Sequence, residues 1–302
     1  MKTLVIFGGS GFIGHHIIRR IARNGYKIIV PYQRSTNEGK LKLFGKVGQI
    51  IPIKFSNIQD SAIIKSIENA DIIINLKTLW KGNSASFQKK IKEFNIDLIF
   101  QLNKLNKSKS FIFFTGLGID KDSTSIRTRT IAETEEYINK NYANSFIIRP
   151  GIILGGWDQF LKKLLPIIRI SFFVPIFGTG EKRFQPVYVD DVAKAVENII
   201  QSKLKGNHTF ELVGTEVFTY RSFYSYLFEC LEVKRYLFRI PFFLAKLGVF
   251  IIEKTPIELI SLEQLKLFNK DSLPSNIYKK FSDLGVKPQD IRKIVNNFIM
   301  KK

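Results

Sequence analysis

Residues 2–14 read KTLVIFGGSGFIG, and the fold of the chain turns on the order of residue types within them. Lys2 to Phe7 is a short apolar run of strand length, and Gly8, Gly9, Gly11 and Gly14 follow it directly. Beyond them Phe12, Ile13, Ile17, Ile18 and Ile21 recur at helical spacing. The order is strand, tight turn, helix, the context that separates a dinucleotide fingerprint from a chance spacing of glycines. A glycine at 8 or 9 lets the chain turn sharply off the strand. Gly11 lets a pyrophosphate approach backbone N–H groups at the helix start, and Gly14 lets the helix pack tightly on the strand. An ordinary glycine-rich turn accounts for the spacing but not for the elements on either side. Gly8, Ser10, Gly11, Phe12, Ile13 and Gly14 are therefore expected to hold a nucleotide.

The same alternation continues along the chain. The first helix is expected to stop at Asn24 and Gly25, and further strands to run over 27–32, 49–55, 70–76, 110–115 and 145–149, the last ending at Pro150 and Gly151. Helices are expected from Asp60 and Ser61, over 84–106 and over 125–143. Apolar strands alternating with helices imply an α/β fold, a doubly wound parallel sheet of Rossmann type with right-handed crossovers. Past Pro150 the pattern loosens into a basic, apolar helix from Phe160, a strand over 184–189, a helix over 191–202 begun by Asp190 and Asp191, and a return strand over 208–213. Residues 1–155 are thus expected to form the nucleotide-binding domain. Residues 156–302 would return strands and helices to the sheet and form a smaller apolar, basic lobe. Within it, 241–252 is apolar around much of its circumference, suited to packing in the lobe or to docking on a membrane surface or a partner.

The chain carries 47 Lys and Arg against 26 Asp and Glu, a formal charge of +21. That surplus favours anionic partners, yet no block of five like charges occurs, and lysines spread over solvated faces account for it equally well. The single cysteine, Cys230, excludes an internal disulfide, and with three histidines it offers no metal-ligand cluster, so no metal is expected. No apolar run reaches the ~20 residues of a membrane span. Met1 lies almost on the first strand, so no signal peptide is expected and the chain reads as cytoplasmic.

The type of nucleotide is written at the end of the second strand. An NAD site usually places an Asp or Glu there for the ribose hydroxyls, whereas this chain has no acidic residue before Glu38 and carries Gln33 and Arg34 at the strand end. A guanidinium suits a 2′-phosphate. NADP(H) is therefore preferred over NAD(H), the alternative being that Arg34 is merely solvated. Asn57 and Ile58 lie where an adenine ring would be sandwiched, and Leu76 ends the fourth strand, which runs into Lys77.

These features resemble the extended short-chain dehydrogenase/reductase superfamily. The shared marks are the glycine motif, Asn75 and Leu76 of strand four, Thr115 ending strand five, and the turn Arg149, Pro150, Gly151. The stretches 7–14, 29–34, 47–50, 158–160 and 185–192 are similar to its atypical members, the NADPH-binding accessory subunits of respiratory complex I and their bacterial relatives. The resemblance implies a nucleotide held tightly in a largely structural role, with Thr115, Pro150 and Ile152 lining its site, by a protein docked on the membrane-adjacent arm of that complex.

Active members of the superfamily carry Tyr-x-x-x-Lys on the helix after strand five, so that the ammonium, one turn from the phenol, lowers its pKa. Here Arg127 takes the tyrosine position and Ile131 the lysine position, and none of the ten tyrosines has a lysine four residues later. A guanidinium is no general acid near neutrality, and isoleucine offers nothing polar. Thr115 is the one catalytic candidate. Lys77, His15 and Arg129 are replacements to consider, each better read as a cofactor contact or a surface residue.

The main expectation is a non-catalytic NADP(H)-binding accessory or assembly component of complex I. Residues 160–177 and 237–254 mix Lys and Arg with bulky apolar side chains and would sit on an anionic membrane surface, peripherally on the cytoplasmic face of the inner membrane. A second expectation is a reductase, epimerase or dehydratase with an unorthodox acid and a lipid-like or quinone-like substrate. Nucleic-acid binding ranks last, because no recognisable module accompanies the charge.

Overall fold

Successive side chains of the first strand, β1 (Thr3–Phe7), enter opposite layers of the molecule. Leu4 and Ile6 pack with Ile17, Ile18 and Ile21 of α1 (Phe12–Ala22), while Val5 and Phe7 pack with Ile63, Leu98 and Ile99 on the other face. A strand whose two faces are both covered has no polar side, which is why it reads as a continuous apolar run. Each fully buried Ile or Phe contributes roughly 1.5–3 kcal/mol. The computed structural model describes residues 2–33, 38–105, 109–156, 158–253 and 260–300.

Five more strands repeat the pattern: β2 (Lys27–Tyr32), β3 (Ile50–Lys54), β4 (Ile72–Asn75), β5 (Ser110–Phe114) and β6 (Ser145–Pro150). The His208–Leu212 strand adds to β6, giving a seven-stranded sheet in the order His208–Leu212, β6, β5, β4, β1, β2, β3, every pair parallel. The chain builds outward from β1 to β3, then returns to place β4 on the other side of β1. Ligands of open α/β sheets bind at such a reversal, beyond the carboxyl ends of the strands. The sheet is thus the doubly wound parallel one that the sequence implies, and the helix Val189–Gln201 packs beside α1 on the same layer.

Three elements differ from expectation in form. The helix expected over 84–106 consists of Ser84–Phe87, a π turn Gln88–Glu93 and Phe94–Asn103. Beyond the π turn Asn95 is buried, donating to the Ile91 carbonyl (2.7 Å) while its Oδ1 accepts from Asn75 Nδ2 (2.8 Å). The strand expected over 184–189 is two short pieces, Arg183–Phe184 and Val187–Tyr188, which pair with different partners, Phe218–Thr219 and Ile153–Leu154. Pro186 lies between them and has no N–H to continue a ladder. The following helix starts at Val189, with Asp190 and Asp191 in its first turn rather than ahead of it.

The lobe is built from the helices Gln159–Ile170, Tyr220–Cys230, Phe242–Ile252, Leu262–Leu267 and Ile291–Met300, with Phe173–Phe177 parallel to Tyr236–Ile240. Asp158 caps the first of these, accepting from Leu161 N at 2.7 Å. The Phe242–Ile252 helix buries Ala245 and Val249 and turns Phe243, Leu247 and Phe250 outward. Among the described residues no helix is long and apolar enough to cross a membrane, and no group of His, Cys, Asp and Glu could hold a metal ion.

Candidate functional site

The loop between β1 and α1 is closed by its own backbone. Gly8 turns the chain with φ +75°, and its carbonyl accepts from Gly11 N at 3.0 Å. A Cβ on Gly14 would overlap the Gly9 backbone. The helix therefore packs on the turn at this position, where the sequence suggested the strand itself. Gly11 is different. A Cβ there would meet only the Gly8 carbonyl, at 3.3 Å, and the residue is exposed. Packing thus presses far less on a side chain at 11 than at 14, and the space outward from Gly11 is where a ligand could approach. No side chain caps the N–H groups at the start of α1, and the helix dipole favours an anion at that end. The residues present fit a dinucleotide pyrophosphate.

Around this loop the strand ends converge. Leu76 N donates to the Phe7 carbonyl (2.9 Å), joining the ends of β1 and β4 at the sheet reversal. Ser10 lies in the turn, Phe12 packs edge-on against His16 (centroids 5.6 Å apart), and Ile13 leans on the core. Pro150 ends β6, and Ile152 accepts from Val187 N at 2.9 Å.

At the end of β2, Gln33 donates from Nε2 to the Ser56 carbonyl (3.0 Å), and its Oε1 accepts from Lys77 Nζ (3.1 Å). The Lys77 ammonium lies over the Phe94 ring, 3.7 Å from its centroid, and 5.4 Å from that of Phe55. Burial, then the neighbouring Lys90 charge, pulls its pKa down to about 8. The Lys77 backbone is fixed as well, since its N–H donates to Asn75 Oδ1 (3.0 Å) at the head of the buried Asn75–Asn95 pair. Asn57 is exposed, with Oδ1 accepting from Gln59 N at 2.7 Å, and Ile58 is buried in the core with Phe55 and Ile63. Arg34, the sequence candidate for the 2′-phosphate, lies outside the described residues.

The catalytic end is filled. Arg127 is 5% exposed; its Nε donates to the Leu79 carbonyl and its Nη2 to Thr78 Oγ1, both at 2.8 Å. The Trp80 ring covers the guanidinium, 3.6 Å from carbon to centroid. Burial lowers the Arg127 pKa to about 10, with Glu263 opposing the shift, so the group stays charged near neutrality. Ile131 is buried against Phe87 and Ile91. From the lobe, Glu263 accepts from Ser125 Oγ and from Arg127 N (3.2 Å), setting a carboxylate at the start of the Ile126–Asn141 helix. The helix dipole favours that charge. Thr115 Oγ1 donates to Glu135 Oε1 (2.6 Å), and Glu135 is paired with Arg149. A hydroxyl committed to a carboxylate is not free to donate to a substrate carbonyl.

The remaining replacements are engaged elsewhere. His15 packs against Phe44, and burial lowers its pKa. Arg129 donates to the Ser123 carbonyl at 2.5 Å. Sequence reasoning missed Trp80, which a tryptophan placed just after strand four could have signalled. It also missed Glu263, for which a contact across 136 residues leaves no local signal.

Residues 4–111 match the NAD dependent epimerase/dehydratase family. The chain is 27% identical to the NADH dehydrogenase [ubiquinone] 1 alpha subcomplex subunit 9 of Arabidopsis thaliana, across 98% of this chain and 77% of that protein. It is 24% identical to the NADH-ubiquinone oxidoreductase 40 kDa subunit of Neurospora crassa, across 98% of this chain and 78% of that one. In fold it is similar to a UDP-N-acetylglucosamine 4-epimerase from Methanobrevibacter ruminantium, with TM-score 0.74, 16% identity, and 99% and 97% of the two chains covered. Residues 4–111 are thus similar to the NAD dependent epimerase/dehydratase family, and along nearly its whole length the chain is similar to mitochondrial NADH dehydrogenase subunits of a plant and a fungus.

Proposed function

We propose that this protein holds NADP(H) without turning it over and serves as an accessory or assembly component of respiratory complex I, the NADH:quinone oxidoreductase. The occupation of the two catalytic positions by Arg127, held under Trp80, and by buried Ile131 carries the proposal. A bound nicotinamide supplies a hydride, but reduction of a carbonyl also needs a proton donor. Arg127 stays protonated at neutral pH, Ile131 has no proton to give, and the Thr115 hydroxyl is committed to Glu135. What remains is a grip: Gly11 and the start of α1 take the pyrophosphate, and the lack of an acidic residue in the sequence before Glu38, whose carboxylate is engaged by Tyr32 and Lys42, favours NADP(H) over NAD(H).

The names of the similar subunits support the complex I assignment. The reading includes a peripheral position on the cytoplasmic face of the membrane that carries the complex, and the lobe supports the membrane contact. Phe173, Tyr236 and Phe243 are 62%, 60% and 71% exposed, and every charged residue of 160–177 and 237–254 except Glu253 is Lys or Arg. Basic charge mixed with exposed aromatic area suits an anionic lipid surface.

The test begins with protein purified in full length and denatured. NADP(H) released at near one per chain is the expected result, and an empty preparation that also fails to take up added NADP(H) overturns the proposal. Purification from native membranes should bring complex I subunits with it; their absence removes the assigned partner while leaving the nucleotide site standing.

A further inference from the structure

We propose that Gln33 and Lys77 together select the nucleotide, with the Lys77 ammonium receiving the 2′-phosphate and the Gln33 carboxamide holding that ammonium at the ribose position. The inference rests on the NADP(H) reading above. Lys77 leaves the end of β4 and reaches across to the end of β2, the strand whose final residues face the adenosine ribose in this fold. Its backbone cannot drift, because the buried Asn75–Asn95 pair fixes the N–H. The Gln33 carboxamide cannot turn over without loss, because its Nε2 is spent on the Ser56 carbonyl and only its oxygen is left to face Lys77.

The charge balance at this point is unusual. Among the described residues the Lys77 ammonium has no carboxylate partner; it has one neutral amide oxygen and two aromatic faces. A charge drawn out of water and left so is costly unless an anion completes it. Glu38, the first acid after β2, is already engaged by the Tyr32 hydroxyl and by Lys42 (3.8 Å). The cost of the half-buried ammonium shows in its lowered pKa. A phosphate on the ribose 2′-oxygen supplies the missing negative charge, and a free 2′-hydroxyl does not.

Adenosine 2′,5′-bisphosphate and adenosine 5′-monophosphate, which differ only in the 2′-phosphate, are the probes for calorimetric titration of the full chain. Wild-type protein should bind the bisphosphate at least tenfold more tightly. In Lys77→Met that advantage should shrink to about twofold or less with the monophosphate affinity unchanged, and Lys77→Arg should keep most of it. Gln33→Glu, which sets a carboxylate beside Lys77, should reverse the preference from NADPH to NADH. An equal loss of both probes in Lys77→Met assigns the side chain to the pyrophosphate or the fold and overturns the inference. So does an unchanged advantage, which assigns selection to Arg34 alone. Wild-type protein that binds neither probe, NADPH nor NADH overturns the nucleotide reading itself, and this inference with it.

Discussion

The glycine loop and the start of the Ile126–Asn141 helix are treated by the chain in opposite ways. At the glycine loop the surface is open: Gly11 is exposed, a Cβ there would meet only the Gly8 carbonyl at 3.3 Å, and α1 begins without a side-chain cap. At the Ile126–Asn141 helix, Arg127, Trp80 and Ile131 pack the positions where proton transfer would occur, and Glu263 ties the lobe to the same helix. Catalytic sites leave room for a substrate beside the nicotinamide, so drift toward disorder at an idle active site would leave a hole. Here the positions are filled, by polar contacts around Arg127 and by Phe87 and Ile91 around Ile131, so that the closed end contributes to stability while the open end is the one proposed to take a ligand.

The sharpest way to break the contrast is to rebuild the lost pair. Arg127→Tyr combined with Ile131→Lys removes the donors to Thr78 and Leu79 and sets an ammonium among Phe87 and Ile91. The double variant should lose on the order of 3–5 kcal/mol of stability in denaturant titration. It should gain no NADPH oxidation with a carbonyl panel, and turnover would show that the closed end was one step from an active site. A smaller effect separates two glycines of the loop. Gly14→Ala forces a methyl group into the Gly9 backbone and should cost about 1–3 kcal/mol, whereas Gly11→Ala should leave the melting temperature nearly unchanged and weaken nucleotide binding at least tenfold. Equal behaviour of the two variants in both measurements would remove the distinction between packing and ligand space. The smallest effect on folding is expected in the lobe. Phe243→Glu should leave stability within about 0.5 kcal/mol while abolishing flotation with anionic vesicles at low salt; flotation retained by the variant would assign lipid contact to another face.

Much of this was legible in the chain because it is written locally. Strand, glycine turn and helix lie within residues 2–22, and the alternation of β1 between two layers follows from consecutive residues. The loss of the catalytic pair was legible too, since four residues of spacing define it. What could not be read depends on residues far apart in sequence. Gln33 meets Lys77 across 44 positions, and Glu263 reaches the Arg127 backbone across 136. No periodicity encodes either contact. The π turn at Gln88–Glu93 also escaped, because the apolar spacing there is compatible with an ordinary helix, and only the buried demand of Asn75 for an acceptor shows why Asn95 is turned inward.

The outward face of the Phe242–Ile252 helix has a consequence for the chain before it meets any surface. Apolar area of this extent on a free chain invites self-association, which rises with concentration and with salts that strengthen apolar contact. Ligand binding acts against unfolding but not against that stickiness: nucleotide at 100 times its dissociation constant adds about 2.7 kcal/mol to the folded state, yet leaves Phe243 and Leu247 as exposed as before. The newly made chain therefore faces two separate hazards, and saturation with cofactor relieves only one of them.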